Sequence, residues 1–328
     1  MTPQRPTMND VARTAGVSLK TVSRVVNGET TVAPDLVAKV HAAVESLDYR
    51  PHLGASMLRR NDRRTRTIGV LLDDVSHPFS AALHRAVEDQ ARARGIHVLT
   101  GSLDQDPVRE HALAEALAER QTDGLILAPT GGDLGHLRAY AGMPVVFVDR
   151  VPAGIRGDSV VSTNVSGAAG GVRHLIAQGH RRIGYLGGRR LLSTTRERHR
   201  GYLRALGRTP GPAVHDLHDP TDAERAAVGL LRGPNPPTAL FTTQSMVTIG
   251  AVRALRRLGR EHSVALVGFD DFPLADLLDP PVTVIAQDPV RMGRTAAAAL
   301  FERIDGYAGP PREIRIPTTL IPRGSGEL

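Results

Sequence analysis

The sequence predicts a small all-α N-terminal domain, followed by an α/β core of two lobes with parallel sheets. Three observations support this prediction. Residues 1–48 carry only helical patterns, whereas from residue 67 onward short apolar runs alternate with helical segments. Short apolar strands without polar alternation are typical of parallel sheets that are covered on both faces. The second region has about 260 residues, which is large for one such sheet and therefore indicates two lobes.

Two short helices separated by a glycine are predicted at the start of the chain. Thr7 can cap the first helix, whose apolar face includes Val11 and Ala15. Gly16 then supplies the tight turn, and Ser18 caps the second helix. This pattern is typical of a helix-turn-helix, although an ordinary αα-hairpin inside a bundle is the alternative.

The second of these helices is predicted to have one apolar face and one polar face. Val22, Val25 and Val26 point inward at helical spacing. The opposite face carries side chains that can meet a DNA surface: Leu19, Lys20, Thr21, Ser23 and Arg24. A helix-turn-helix reads bases with residues near the N-terminus of its second helix. The sequence therefore predicts a sequence-specific DNA-binding domain.

The run M-N-D-V-A-R-T-A-G-V-S-L-K-T-V-S-R-V-V-N-G closely resembles the start of the LacI/GalR (lactose/galactose repressor) family of transcriptional regulators. The resemblance continues to residue 51 and, more loosely, to the C-terminus. It implies three residues that read bases in the major groove: Leu19, Lys20 and Arg24. It implies four that contact backbone phosphates or orient the domain: Thr7, Ser18, Thr21 and Asn27. The chemistry agrees, because arginine and lysine suit guanine O6 and N7, and leucine suits a thymine methyl.

A third helix is predicted from Pro34. The segment 49–60 resembles the family's hinge helix, which orders when two subunits lie side by side in the minor groove. The resemblance implies that Leu58 opens a base step and that Ala55 allows close approach; a plain interdomain linker is the alternative. The predicted divisions are a helix-turn-helix domain at 1–48, a hinge helix and linker at 49–66, and a two-lobed effector-binding and dimerisation domain at 67–328.

The core is predicted to alternate strands with helices. The predicted strands are 68–72, 96–100, 124–128, 145–148, 182–188, 239–243, 264–269 and 282–286. The predicted helices include 79–94, 110–121, 167–178, 196–206, 247–258 and 290–304. We expect the break between lobes near residues 150–165, with the last segments crossing back. This pattern matches the periplasmic-binding-protein-like core of the resembled family, which closes on a small ligand by hinge motion.

Polar residues follow several of these strands. In open α/β sheets, ligands bind beyond the carboxyl ends of the strands, where the sequence has Asp73-Asp74, Asp149-Arg150 and Asp270-Asp271. Such side chains suit hydrogen bonding to sugar hydroxyls, although an aspartate at a strand end often caps the following helix. The resemblance implies five effector-binding residues: Phe79, Asp149, Arg198, Gln244 and Asp270. Gln244 stands where the family commonly has asparagine, and Ser245 where it commonly has aspartate.

The composition argues against several other classes of protein. The chain has no cysteine, which excludes disulfides, cysteine nucleophiles and cysteine-ligated metals. Its 13 histidines lack metal-ligand spacing, so we expect neither a metal nor a cofactor. No G-x-G-x-x-G follows the first strand and no P-loop occurs, which argues against a nucleotide-dependent enzyme. No apolar stretch approaches the roughly 20 residues of a membrane span, so we expect a cytoplasmic protein without a membrane partner.

The charge distribution fits DNA binding. Residues 1–66 hold eleven Lys and Arg against six Asp and Glu, so most of the net charge of +7 lies there. We therefore interpret the chain as a homodimeric transcriptional regulator of the repressor type. A small sugar or sugar derivative between the lobes would control its affinity for double-stranded operator DNA. The alternative is a sugar-binding transport or chemoreceptor protein, which would need an export signal and no helix-turn-helix.

Overall fold

The computed structural model describes residues 6–26, 29, 31–49, 64–207 and 211–328. The chain divides into an N-terminal unit, Met1–Thr65, and a C-terminal unit, Arg66–Leu328. The hinge residues Ala55 and Leu58 and the expected DNA contact Asn27 lie outside the described residues. The hinge helix and its extent at 49–66 therefore stay predictions.

Helices form the described part of the N-terminal unit: α1 (Met8–Ala15), α2 (Leu19–Val26) and α3 (Pro34–Ser46). Thr7 caps α1 as expected, because its Oγ1 accepts the Asp10 N–H at 3.4 Å and the Asp10 carboxylate accepts the Thr7 N–H at 2.9 Å. Gly16 ends α1 with φ 64°, a left-handed conformation that glycine adopts without strain. The helices enclose a small core: Val11, Val22, Val25, Val40, Ala43 and Tyr49.

The C-terminal unit contains two six-stranded sheets among its described residues. The strands of the first sheet are β1 (Thr67–Leu72), β2 (His97–Ser102), β3 (Gly124–Leu127), β4 (Val145–Val148), β5 (Asp158–Ser162) and β11 (Glu313–Ile316). Those of the second are β6 (Ile183–Leu186), β7 (Ala213–Val214), β8 (Ala239–Thr242), β9 (Ala265–Phe269), β10 (Thr283–Ala286) and β12 (Thr319–Ile321). The orders are β11-β5-β4-β3-β1-β2 and β12-β10-β9-β8-β6-β7. Neighbouring strands run parallel, except that β12 is antiparallel to β10.

Helices cover these sheets: α4 (Pro78–Ala93), α5 (Pro107–Glu119), α6 (Asn164–Ala177), α7 (Ser193–Leu206), α8 (Pro220–Arg232), α9 (Ser245–Leu258) and α10 (Pro289–Ile304). Leu83 and Val87 of α4 share a buried apolar cluster with Ala296 and Leu300 of α10. The chain therefore returns to the first lobe through α10 and β11, as expected. The predicted two-lobed α/β core with parallel sheets is confirmed.

The polar strand ends have a common backbone feature in both lobes. Asp149 follows β4 with φ 68°, and Asp270 follows β9 with φ 71°. Both lie in the left-handed region, which is uncommon for residues with a Cβ atom and often marks functional sites. Each still donates its N–H to the neighbouring strand, Asp149 to the Val160 carbonyl and Asp270 to the Ile285 carbonyl, both at 2.9 Å. The two sheets thus present equivalent aspartates at their carboxyl edges.

Candidate functional sites

A cavity of about 230 Å³ is lined by residues from the carboxyl ends of both sheets. All five expected effector-binding residues line it: Phe79, Asp149, Arg198, Gln244 and Asp270. The structure therefore brings together side chains that lie far apart in the sequence, while their role in effector binding stays a prediction. A second cavity of about 320 Å³ adjoins it, since Phe79, Asp270 and Gln287 line both. We place the site in the first cavity, because five buried or partly buried charged side chains converge there.

The first lobe contributes a buried arginine between two carboxylates. Arg150 is 6% exposed, and its Nη2 donates to Asp73 Oδ2 at 2.9 Å. Its Nε lies 3.3 Å from Asp149 Oδ2, and its Nη1 donates to the Pro129 carbonyl at 3.0 Å. Burial raises the pKa of Asp149, against the opposing attraction of Arg150. A carboxyl in this position gains from a hydrogen-bond donor supplied by a ligand.

The second lobe contributes a matching arginine on α7. Arg198 is 4% exposed and lies over the Phe269 ring, 3.9 Å from its centroid. Its Nε donates to Asn164 Oδ1 at 2.8 Å, and its Nη1 lies 3.2 Å from Asp270 Oδ2. Gln287 Nε2 donates to the other Asp270 oxygen at 2.6 Å. Both oxygens of this aspartate are therefore held in place before any ligand arrives.

Two buried polar atoms of the first-lobe group have no hydrogen-bond partner. They are Asp73 Oδ1, an acceptor, and Arg150 Nε, a donor that is close to Asp149 but poorly aligned with it. A buried polar group without a partner costs about 1–3 kcal/mol. Both residues line the cavity, but these two atoms are not themselves exposed to it, so they are not contact points for a ligand in this arrangement.

Two of the hydrogen-bonded links between the lobes beside this cavity involve His77 and Arg189. His77 caps α4, where its Nδ1 accepts the Phe79 N–H at 3.3 Å. Its Nε2 therefore carries the proton and donates to Ser245 Oγ at 2.8 Å. On the other link, Arg189 Nη1 donates to the Gln105 carbonyl at 2.9 Å.

Gln105 connects the hydrogen bond from Arg189 to the residues that line the cavity. Its Nε2 donates to Asp73 Oδ2 at 3.0 Å, while Arg189 of the other lobe donates to its backbone. Sequence reasoning missed Gln105, Gln287, Thr194 and His218 among the lining residues. Gln287 comes directly after β10, so the strand-end rule would have found it. Nothing in the sequence marks Gln105, because its position depends on the approach of the lobes.

The expected DNA-reading side chains lie on the exposed face of α2. Leu19, Lys20 and Arg24 are exposed, while Val22 and Val25 on the opposite face are buried. Arg24 Nε lies 3.4 Å from Glu29 Oε2, with side-chain exposures of 44% and 49%. An ion pair this exposed is weak, so Arg24 remains available to another partner.

Three of the residues expected to contact the DNA backbone already form hydrogen bonds within the protein. Ser18 Oγ accepts the Thr21 N–H at 3.1 Å and lies 2.9 Å from Thr21 Oγ1. Thr7 is occupied in the cap of α1. These hydroxyls orient the helices, and whether they also touch phosphates stays a prediction.

Within the described residues, no group of three or more His, Cys, Asp and Glu side chains is arranged to hold a metal ion. In the same part of the chain, no helix is both long and apolar enough to span a membrane.

Comparison with known proteins gives two family matches. Residues 7–52 match the model of bacterial regulatory proteins of the lacI family, and residues 172–326 match the periplasmic binding protein-like domain. The chain is 34% identical to the HTH-type transcriptional regulator PtxS of Pseudomonas aeruginosa, over 98% of this chain and 96% of the relative. It is 32% identical to the ribose operon repressor of Escherichia coli, over 97% and 99%. A crystal structure of the lac repressor dimer bound to operator and the anti-inducer ONPF has a TM-score of 0.85 at 26% identity, over 98% and 99%.

Proposed function

This chain belongs to the LacI family of bacterial regulatory proteins, which are DNA-binding transcriptional regulators, and we propose that a sugar-like effector in the 230 Å³ cavity controls its affinity for operator DNA. The observation that carries the proposal is the convergence of Asp149, Arg198 and Asp270 from two lobes on one cavity. Such a site binds its ligand only when both lobes contribute, so ligand binding and lobe arrangement are coupled.

The proposed working form is a homodimer on double-stranded operator DNA, as in the lac repressor complex that the chain resembles. Two α2 helices, presenting Leu19, Lys20 and Arg24, would read the two halves of a roughly palindromic site. Ala55 and Leu58 would lie in the minor groove between them. The proposal includes no catalytic step, and the place of action is the cytoplasm, where the operator lies.

The effector acts through its different affinity for two arrangements of the lobes. A ligand can shift such an equilibrium only by that difference, which is typically 1–3 kcal/mol, or roughly 5- to 150-fold. The links from His77 to Ser245 and from Arg189 to Gln105 exist in the arrangement seen here and stabilise it.

A direct experiment combines a ligand screen with DNA binding. Full-length protein is screened by thermal shift against sugars and sugar derivatives, and each hit is then added to a complex with a fragment of the protein's own promoter. We expect at least one hit to change DNA affinity by about 5- to 150-fold. Hits that protect the protein against heat but leave DNA affinity unchanged would contradict the regulatory proposal.

The hydrogen bond between His77 and Ser245 leads to a further prediction. Ser245→Ala should weaken effector binding by about 2- to 10-fold, because one hydrogen bond contributes about 0.5–1.5 kcal/mol to the arrangement that holds the ligand. Isothermal titration calorimetry measures the change. Ser263→Ala is the matched control, since Ser263 is exposed and bonds only within its own lobe. Equal effector affinity in both variants would show that the link is irrelevant to binding.

A further inference from the structure

Resting on the proposed function, we infer that Glu110 is a positioning residue for the arrangement of the lobes, because it holds the loop 129–131 of the first lobe in the conformation on which Leu191 of the second lobe packs. Glu110 is 1% exposed and is not among the residues that line the cavity. It therefore acts on the effector site indirectly. A buried carboxylate is weak evidence for stability by itself, so the groups that it contacts indicate its role.

Glu110 fixes the loop that follows β3 by two interactions. Its Oε2 accepts the Thr130 N–H at 2.7 Å, which joins α5 to this loop. Its negative charge also attracts the guanidinium of Arg150, whose Nη1 donates to the Pro129 carbonyl at 3.0 Å. Burial raises the pKa of Glu110, and these two interactions oppose the rise. Hydrogen bonds to a charged acceptor are stronger than neutral ones, so the loop is held firmly.

The same loop meets the second lobe at a glycine. Gly131 has φ 99°, in the left-handed region that glycine adopts without steric cost. A Cβ atom at this position would lie 3.1 Å from Leu191 Cγ and 3.1 Å from the Leu191 carbonyl oxygen. Leu191 belongs to the second lobe, between β6 and α7. The backbone of the first-lobe loop therefore forms the surface on which this leucine packs.

The second lobe presents Leu191 from a loop that is also held in place. The Arg190 N–H donates to Asp216 Oδ1 at 2.8 Å, and Arg190 Nε donates to Asp216 Oδ2 at 2.9 Å. Arg196 of α7 donates to the Leu191 carbonyl. Because both loops have a defined conformation, the contact between them favours one arrangement of the lobes.

The second-lobe loop reaches the first lobe at one end of α5. Arg189 Nη1 donates to the Gln105 carbonyl at 2.9 Å, and Gln105 directly precedes the capping residue Asp106. Glu110 lies in the first turn of the same helix. The N-terminus of α5 thus supports both places where the loop 189–191 meets the first lobe. Weakening this support should shift the lobes toward other arrangements, since their equilibrium follows the difference in contacts.

Hydrogen exchange of the ligand-free full-length protein measures this effect. In Glu110→Ala, we expect the Arg190 and Leu192 amides of the second lobe to exchange about 5- to 20-fold faster, because their loop loses its packing surface. Glu110→Gln should keep exchange near that of the unmodified protein, since its amide oxygen still accepts the Thr130 N–H. Faster exchange confined to the first lobe, or equal exchange in the two variants, would overturn the inference.

Two further variants separate positioning from a general loss of stability. Glu115→Ala removes an exposed carboxylate from the same helix and should leave the second-lobe amides unchanged. Leu191→Ala removes the contact from the other side, and folding is not at risk because Leu191 is 47% exposed. Adding Glu110→Ala to Leu191→Ala should speed exchange by less than about twofold more, since both changes break one contact. Independent, multiplying effects would show that Glu110 acts elsewhere.

Operator binding separates this inference from the proposed function. Fluorescence anisotropy with a fragment of the protein's own promoter measures the DNA affinity of the same ligand-free variants. We expect Glu110→Ala to change this affinity by about fivefold or more, and Glu115→Ala to leave it unchanged. If the second-lobe amides exchange faster while operator affinity stays the same, the positioning role of Glu110 stands and control of DNA binding by the lobe arrangement is overturned.

Discussion

Arg198→Ala is expected to weaken effector binding strongly, so that the response to effector is lost at concentrations that saturate the unmodified protein, while the protein still binds operator DNA. The guanidinium is 4% exposed and connects Asn164, the Thr243 carbonyl and Asp270 at the cavity. A hydrogen bond to a charged group contributes about 1.5–3 kcal/mol, so effector affinity should fall by roughly 10- to 150-fold. Calorimetry measures the affinity, and fluorescence anisotropy of labelled operator measures the response.

The same change should also lower stability. Removing Arg198 leaves Asp270, which is 8% exposed, without its cationic partner, and breaking such a buried pair costs about 3–5 kcal/mol. Arg198→Lys keeps the charge and serves as the better-folded variant. Arg200→Ala is the control on the same helix, since its side chain is 67% exposed. A normal effector response in folded Arg198→Ala would remove this arginine from the site.

Arg24→Ala is expected to remove discrimination between operator and unrelated DNA. The side chain lies on the exposed face of α2 beside Lys20, and a bidentate contact to one base contributes about 1–3 kcal/mol of discrimination. Operator affinity should fall by roughly 5- to 150-fold, whereas affinity for a scrambled fragment should fall much less. The exposed pair with Glu29 contributes at most about 1 kcal/mol, so breaking it on binding costs little.

Arg13→Ala provides the matched control for this measurement. Arg13 lies on α1 with 80% of its side chain exposed, so its removal deletes the same charge away from the reading face. Any loss it causes should be shared by operator and scrambled DNA. If Arg24→Ala also weakened both fragments equally, Arg24 would act on the phosphates and not on a base.

The fold was largely predictable because apolar runs mark buried parallel strands. The runs at 68–72, 124–128 and 239–243 correspond closely to β1, β3 and β8. Four strands that are short or carry polar residues were not predicted from the sequence: β5, β7, β11 and β12. In β5, Asp158 is buried because Arg303 and Arg312 reach it at 2.8 and 2.7 Å. Those partners are too distant in sequence to be foreseen.

Residues of the candidate site that directly follow a strand could be predicted from the sequence. Contacts that form only between the two lobes could not. Asp149 and Asp270 follow their strands directly, so the strand-end rule places them correctly. The link from His77 to Ser245 joins residues 168 positions apart, and only the approach of the lobes creates it. This hydrogen bond also gives Ser245 a structural role, at a position where the family commonly has aspartate.

The most direct measurement compares effector affinity in the absence and presence of saturating operator, and operator affinity in the absence and presence of saturating effector. Because linkage is reciprocal, the two ratios must be equal, and we expect a factor of roughly 5 to 150. Calorimetry gives the first ratio and fluorescence anisotropy the second. A ligand that occupies the cavity with the same affinity whether or not operator is bound would contradict effector control of DNA binding.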